Sequence, residues 1–229
     1  MSCILAIETS TEVCSVALGQ DGDTIFEKVC EENNAHTRHL ATFVDEALSF
    51  ANSHAIPLDA VAITEGPGSY TGLRIGTSTA KGICYGFNIP LITIPTLKML
   101  CVRPLLYEEL DEDALLCPMI DARRMEVYAA IYDRSLRNIR ETQADIIDET
   151  SYADYLEKQP IYFFGNGAEK CIDIIKHPNA RFISNIKASA KSMLPLAELA
   201  IAKNDFADVA YFEPYYLKEF VATKAKQLF

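Results

Sequence analysis

The sequence has no apolar stretch approaching the roughly 20 residues needed to span a bilayer. Its first apolar run, Ile4-Leu5-Ala6-Ile7, follows no basic segment and is interrupted at Glu8, so no membrane anchor or signal peptide is expected. A basic surplus is also missing: 21 Lys and Arg face 32 Asp and Glu, a formal net charge of −11 over 229 residues. Gripping nucleic acid rests on neutralising phosphates. The chain is therefore not expected to hold a nucleic acid alone, and in such a pathway a basic partner would carry the substrate. The seven cysteines (Cys3, Cys14, Cys30, Cys84, Cys101, Cys117 and Cys171) form no C-x-x-C pair and read as reduced core or near-core thiols of a cytoplasmic protein. No H-E-x-x-H stretch exists for a zinc peptidase, and no Ser-His-Asp or Cys-His set can be assigned.

What is present centres on Glu65-Gly66-Pro67-Gly68-Ser69-Tyr70-Thr71-Gly72-Leu73-Arg74-Ile75-Gly76. It follows the strand-like run Ala60-Val61-Ala62-Ile63 and opens onto a helical pattern reaching about Phe87. Gly66 and Gly68 allow a sharp turn, and Ser69 or Thr71 can cap the helix. Strand, glycine turn and helix start also make a candidate anion site. The spacing is not that of a P-loop, because Gly72 is followed by Leu73 and Arg74 with no lysine for terminal phosphates. Gly72, Gly76 and Ala80 then recur every fourth residue, and Gly82 and Gly86 repeat that spacing on another face. Glycine inside a helix costs about 1 kcal/mol relative to alanine, so something must approach closely: the chain's own sheet, or a helix of another subunit.

In chain order, Ile4–Ile7, Cys14–Leu18 and Thr24–Phe26 read as a meander, with a hairpin signal at Gln20-Asp21-Gly22-Asp23. Leu40, Phe43, Val44, Ala47, Leu48 and Ala51 share one face of a helix over 36–53. A strand at 60–64, a helix at 71–88 and a strand at 90–95 complete a β-β-β-α-β-α-β order, which is ribonuclease-H-like, and a helix at 96–107 follows. The acidic stretch 108–113 marks a boundary between an expected first lobe, 1–107, and a smaller, degenerate second lobe, 108–229. The second lobe opens the same way, with strands near 115–120, 126–132, 137–147 and 160–164, a helix expected at 168–176 and a clear helix at 192–204.

The segments Ile4-Leu5-Ala6-Ile7-Glu8-Thr9-Ser10-Thr11, Gly66 to Gly76, Ile120-Asp121-Ala122-Arg123-Arg124-Met125-Glu126-Val127-Tyr128 and Pro214-Tyr215-Tyr216-Leu217-Lys218 resemble, in content and order, those of TsaB (YeaZ) proteins. The likeness spans almost the whole chain, and the glycine motif is its most specific part. It implies a two-lobed α/β fold of the actin/Hsp70/sugar-kinase type, each lobe a mixed sheet flanked by helices. It implies a role in forming N6-threonylcarbamoyladenosine at position 37 of tRNA. In that scheme one enzyme makes threonylcarbamoyl-AMP, a metal-holding transferase (TsaD) delivers the group, a small ATPase (TsaE) cycles the complex, and the TsaB protein is the non-catalytic partner of TsaD.

ATPases of this fold carry glycine in the turns between the first two strands of each lobe, where backbone N–H groups meet phosphate. Here those turns read Glu8-Thr9-Ser10-Thr11 and Asp121-Ala122-Arg123-Arg124, without glycine, so no catalytic residue is assigned. Glu8 and Asp121 are candidates for a cation, and Gly165-Asn166-Gly167 lies where such folds hold a nucleobase. Glu8, Thr9, Ser10, Asp121, Gly165 and Gly167 are thus the candidates for a vestigial nucleotide site, against simple structural turns. No cofactor is assigned, and a weakly held nucleotide at the partner interface stays open. His36 and His39 have a spacing that can share a metal, but two ligands do not make a site and no metal is assigned. Arg123, Arg124, Arg134, Arg137 and Arg140 give the second lobe a local basic face, read as solvated or as a minor tRNA contact.

The helices at 36–53 and 71–88, one with an apolar stripe and one with small residues, read as the partner surface. Its expected residues are Leu40, Phe43, Val44, Ala47, Gly72, Arg74, Gly76, Ala80 and Ile83. The resemblance implies that a homodimer and the TsaD heterodimer compete for this surface, and that tRNA is touched only indirectly. On this reading Gly76→Leu breaks association and leaves the fold largely intact. The rivals are a stand-alone kinase or acyltransferase of the same fold, and a glycoprotease-type peptidase.

Overall fold

Two five-stranded sheets with the same strand order form the frame of the chain. The computed structural model describes residues 2–32 and 35–218; Met1 and residues 219–229, the outer ends of the two expected lobes, lie outside the described residues. The first sheet holds β1 (Cys3–Glu8), β2 (Cys14–Gln20), β3 (Asp23–Cys30), β4 (Ala60–Gly66) and β5 (Leu91–Pro95), in the order β3-β2-β1-β4-β5. The β1, β2 and β3 strands run antiparallel as a meander, and β4 and β5 add parallel to β1. Asp21 and Gly22 turn the β2–β3 hairpin with φ of 52° and 90°, the paired positive angles that match strand twist. The second sheet repeats the plan: β6 (Leu115–Asp121), β7 (Glu126–Tyr132), β8 (Asn138–Ile146), β9 (Ile161–Phe164) and β10 (Ala180–Phe182) lie in the order β10-β9-β6-β7-β8. This is the ribonuclease-H-like order twice over, the two-lobed arrangement of actin and the sugar kinases.

The helices are α1 (Ala35–Ser53), α2 (Tyr70–Phe87), α3 (Thr96–Tyr107), the single turn α4 (Ala153–Leu156) and α5 (Ala190–Lys203). Every residue of β1 is buried, as expected of a strand covered on both faces. Its alternate side chains sort the layers. Cys3, Leu5 and Ile7 join Leu40, Val44 and Ala47 of α1 and Ala80 and Cys84 of α2 on one side. Ile4 and Ala6 join Leu97 and Leu100 of α3 and Met193, Leu194 and Ala197 of α5 on the other. That second cluster continues into Leu116, Ile120, Ala130, Tyr132 and Phe164 of the second sheet. Two helices are thus buried between the sheets, and α5 returns from the second half of the chain to cover the first sheet. Gly19 of β2 makes room for it: a side chain there would meet Leu194 at 2.7 Å.

The helix expected at 168–176 does not form. Only Glu169–Cys171 makes one 3-10 turn, followed by irregular chain and then β10, which the sequence pattern did not suggest. The β-branched run Ile172, Ile174 and Ile175 favours helix weakly, and Pro178 forbids its continuation. All seven cysteines are free thiols, and Cys30 alone of them is not fully buried. No helix among the described residues is long and apolar enough to cross a membrane.

A shared core predicts shared unfolding. Leu97→Ala, at a site with no solvent exposure between the sheets, is expected to cost about 2–5 kcal/mol. Denaturation followed separately by far-ultraviolet circular dichroism and tyrosine fluorescence is expected to keep one common midpoint.

Candidate functional site

The glycine motif turns the chain from β4 into α2 with Gly66 at φ 117° and a cis peptide to Pro67. Ser69 caps α2, its Oγ accepting from Gly72 N at 3.2 Å. Ser69 N donates to the carbonyl of Ser10 at 2.6 Å, and Thr9 Oγ1 donates to the carbonyl of Gly72 at 2.8 Å. The helix therefore lies directly on the β1–β2 turn. A Cβ added at Gly68, Gly72 or Gly76 would fall inside the van der Waals radius of Ser10 O, Thr9 O or Thr9 Oγ1 respectively. The small-residue line 68, 72 and 76 faces the chain's own turn. Gly76→Leu would accordingly strike Thr9 and Ile63 and damage the fold, so it is not the clean probe of association that the sequence suggested.

Glu8, Thr9 and Ser10 have no solvent exposure. Glu8 Oε1 accepts from Ser10 N at 2.6 Å and from the Ser10 hydroxyl, while Oε2 has no hydrogen-bond partner. Burial pushes the Glu8 carboxyl up to about 6, against the Ser10 hydroxyl and N–H, which favour the anion. The N–H groups of Ser10 and Ser69 that could face a phosphate are spent on protein acceptors.

The remaining nucleotide-site candidates form a second cluster. Lys170 Nζ contacts the Asp121 carboxylate and donates to the carbonyls of Arg124 at 2.8 Å and Glu126 at 2.7 Å. Gly165, at φ 98°, packs on Met119 O, and Gly167 on the backbone between Ile120 and Asp121, so these glycines serve a tight turn against β6. Between them Asn166 Oδ1 accepts from Asp121 N at 3.0 Å, and Asn166 Nδ2 donates to Glu12 Oε2 at 2.7 Å. That last bond joins the two clusters across the lobes, and nothing in the sequence pattern marked Asn166 or Glu12 for it.

Of the expected partner-surface residues, Leu40, Val44 and Ala47 are buried under α1, and Gly72, Gly76 and Ala80 under α2. Phe43 and Ile83 are half-buried, and Arg74 is exposed. The Arg74 guanidinium lies over the Tyr70 ring at 4.1 Å from its centroid and donates from Nε to Tyr216 Oη at 3.3 Å. That contact ties the tail motif to the glycine motif, as does Tyr215 N donating to Glu65 O at 2.7 Å. The outer face of α2 is bare. Among the described residues nothing lies within 4 Å of a Cβ placed at Gly82 or Gly86, and Tyr85 and Phe87 are 86% and 58% exposed. Lys81, Gly82 and Tyr85 border an open depression of about 650 Å³ with Asp208, Val209 and Ala210 of the tail.

The two histidines part company: His36 Nε2 lies 2.7 Å from Thr11 O, whereas the His39 ring stacks on Phe43. In the expected basic face Arg137 pairs with Asp133 and Arg140 with Asp145, and Arg134 donates to Asp111 O at 3.3 Å.

A family model described as TsaD, tRNA N6-adenosine threonylcarbamoyltransferase, matches residues 30–226. The tRNA threonylcarbamoyladenosine biosynthesis protein TsaB of Escherichia coli (strain K12) is 32% identical over 229 residues, covering 96% of each chain. The chain belongs to the TsaB (YeaZ) family. The solved structure of YeaZ from Pseudomonas aeruginosa superposes with a TM-score of 0.80 at 24% identity, over 95% of this chain and 100% of that one, and speaks for the fold. A tRNA N6-adenosine threonylcarbamoyltransferase of Staphylococcus saprophyticus is 31% identical over 107 residues, 40% of this TsaB-family chain and 31% of that protein. The match to that single transferase is partial, whereas the match to the Escherichia coli TsaB protein covers 96% of both chains.

The inward and outward glycines should respond oppositely to the same change. Gly82→Ala and Gly86→Ala are expected to stabilise the isolated chain by up to about 1 kcal/mol through helix propensity. Gly72→Ala and Gly76→Ala are expected to destabilise it by about 1–3 kcal/mol through overpacking. Urea titration of the four variants checks both signs.

Glu8 carries a pH signature. Its carboxyl titrates higher in the folded chain (about 6) than the ordinary 4.5, so burying the anion costs stability progressively as pH rises through that window. A shift of this size corresponds to about 2 kcal/mol. Glu8→Gln removes the cost, so the stability of the variant relative to wild type should rise by about that amount between pH 4 and pH 7 and then level off. A difference that stays constant over the range would show that Glu8 does not titrate there.

Proposed function

We propose that this chain serves tRNA threonylcarbamoyladenosine biosynthesis in the cytoplasm as a non-catalytic subunit, docking a TsaD-type transferase through the outer faces of α2 and α1. The observation that carries the reading is the bare face of α2. Gly82 and Gly86 hold open a strip on which another helix can lie backbone to backbone, and the exposed rings of Tyr85 and Phe87 flank it. Keeping two glycines, an exposed tyrosine and an exposed phenylalanine within two helix turns costs helix stability and exposes apolar area. A partner offsets that cost.

The buried members of the expected surface, Leu40, Val44, Ala47, Gly72, Gly76 and Ala80, then act indirectly by seating the two helices on the sheet, while Phe43, Arg74 and Ile83 lie at the contact. Without the transferase, a second copy occupies the same strip as a homodimer. A TsaE-type ATPase completes the assembly, and the transferase side holds the tRNA, in keeping with the net charge of −11 here. Two features support the non-catalytic reading: the Ser10 N–H of the first turn and the Ser69 N–H that faces it are occupied internally, and Lys170 fills the second turn.

The test is a drop-out reconstitution with unmodified tRNA, threonine, bicarbonate, ATP and the other pathway proteins, with nucleosides read by mass spectrometry. Product is expected only when this chain is added, and none from the chain alone. Gly82→Leu, whose Cβ has open space within 4 Å among the described residues, is expected to lower product formation at limiting concentration by at least about tenfold, the equivalent of 1.4 kcal/mol of lost association. Equal product without the chain, or an unimpaired Gly82→Leu protein, contradicts the proposal.

A further inference from the structure

At the junction of β3 and α1, Cys30, Glu32 and His39 bring a thiol, a carboxylate and an imidazole together, their ligand atoms all lying within 4.8 Å of one another. Cys30 is the last residue of β3, Glu32 stands in the connector, and His39 is one turn into α1. We propose that these three side chains form a zinc site that staples the start of α1 to the end of β3.

The donor chemistry favours zinc. A thiolate and an imidazole with one carboxylate are borderline-soft ligands, which disfavour magnesium and calcium. Zinc bonds to S, N and O donors at about 2.0–2.3 Å, which spaces tetrahedral ligand atoms about 3.5 Å apart, so the observed cluster needs only a modest closing movement. Glu32 is exposed and Cys30 and His39 are half-buried. The carboxylate can therefore swing onto an ion held by the other two from the protein side. His39 is held by its stacking on Phe43, with ring centroids 5.6 Å apart. The neighbouring groups are committed elsewhere: Glu31 pairs with Lys187, and His36 Nε2 lies against Thr11 O. Three protein ligands leave a fourth position for water or for a ligand from outside the chain. Binding converts the Cys30 thiol to a zinc-bound thiolate and releases its proton to solvent, so affinity rises with pH.

Because His39 stacks on Phe43 of the proposed docking surface, zinc binding is tested on the whole, reduced, chelator-treated chain without the transferase. Zinc titrated against a chromophoric chelator is expected to bind at one equivalent per chain, and cobalt(II) in its place is expected to show a thiolate-to-metal charge-transfer band. Cys30→Ser should abolish that band. Glu32→Gln and His39→Asn should each weaken zinc binding by at least about tenfold. Because Glu32 is exposed, its variant folds whether or not a metal binds, and far-ultraviolet circular dichroism verifies this for all three. A charge-transfer band that survives Cys30→Ser, a stoichiometry well below one, or zinc affinity unchanged in both Glu32→Gln and His39→Asn overturns the proposal.

Discussion

Helix α2 rests on the Thr9–Ser10 turn so closely that no side chain fits at positions 68, 72 and 76. Much of the molecule depends on that approach. It lets Thr9 Oγ1 reach the carbonyl of Gly72 and Ser69 N reach the carbonyl of Ser10. It buries the whole Glu8-Thr9-Ser10 segment, and burial in turn lifts the carboxyl of Glu8. The Ser69 N–H is spent on the Ser10 carbonyl and the Ser10 N–H on Glu8 rather than being left for a phosphate. The turn between β1 and β2 serves as a packing joint for α2.

The joint also fixes which way α2 faces. With one glycine line spent on the turn, the line through Gly82 and Gly86 must point to solvent, next to Tyr85. The tail secures the arrangement from outside, with Lys81 donating to Ala210 O and Phe212 O, and Tyr216 bonded to Arg74. Behind the sheet, α3 and α5 are buried between the lobes in a continuous apolar cluster, so the face that carries α2 is backed by the most deeply packed part of the chain.

The strands other than β10 and the main helices were legible because their periodicity is strong: α3 spans 96–107 as the apolar pattern indicates, and α2 starts one residue before its expected bound. At 168–176 apolar content suggested a helix, but the isoleucines at 172, 174 and 175 favour helix only weakly and Pro178 follows. The site was legible in part. Glycine at every fourth residue announces a close approach, but spacing is blind to what approaches. Only the position of Thr9 shows that 72 and 76 look inward while 82 and 86 look outward. The Asn166–Glu12 bond spans most of the chain and has no local signature. His39 shows only a second histidine three residues away in sequence, whereas in space it meets Cys30 from the end of a strand.

The measurement that bears most directly on the account is hydrogen–deuterium exchange of this chain with and without a TsaD-type transferase. The account predicts slowed exchange over the outer half of α2, from Ser78 to Phe87, and along the adjoining tail at Asp208–Ala210, with β6–β10 unchanged. A complex that forms while leaving α2 at its free rate, with protection confined to the second sheet, would contradict it.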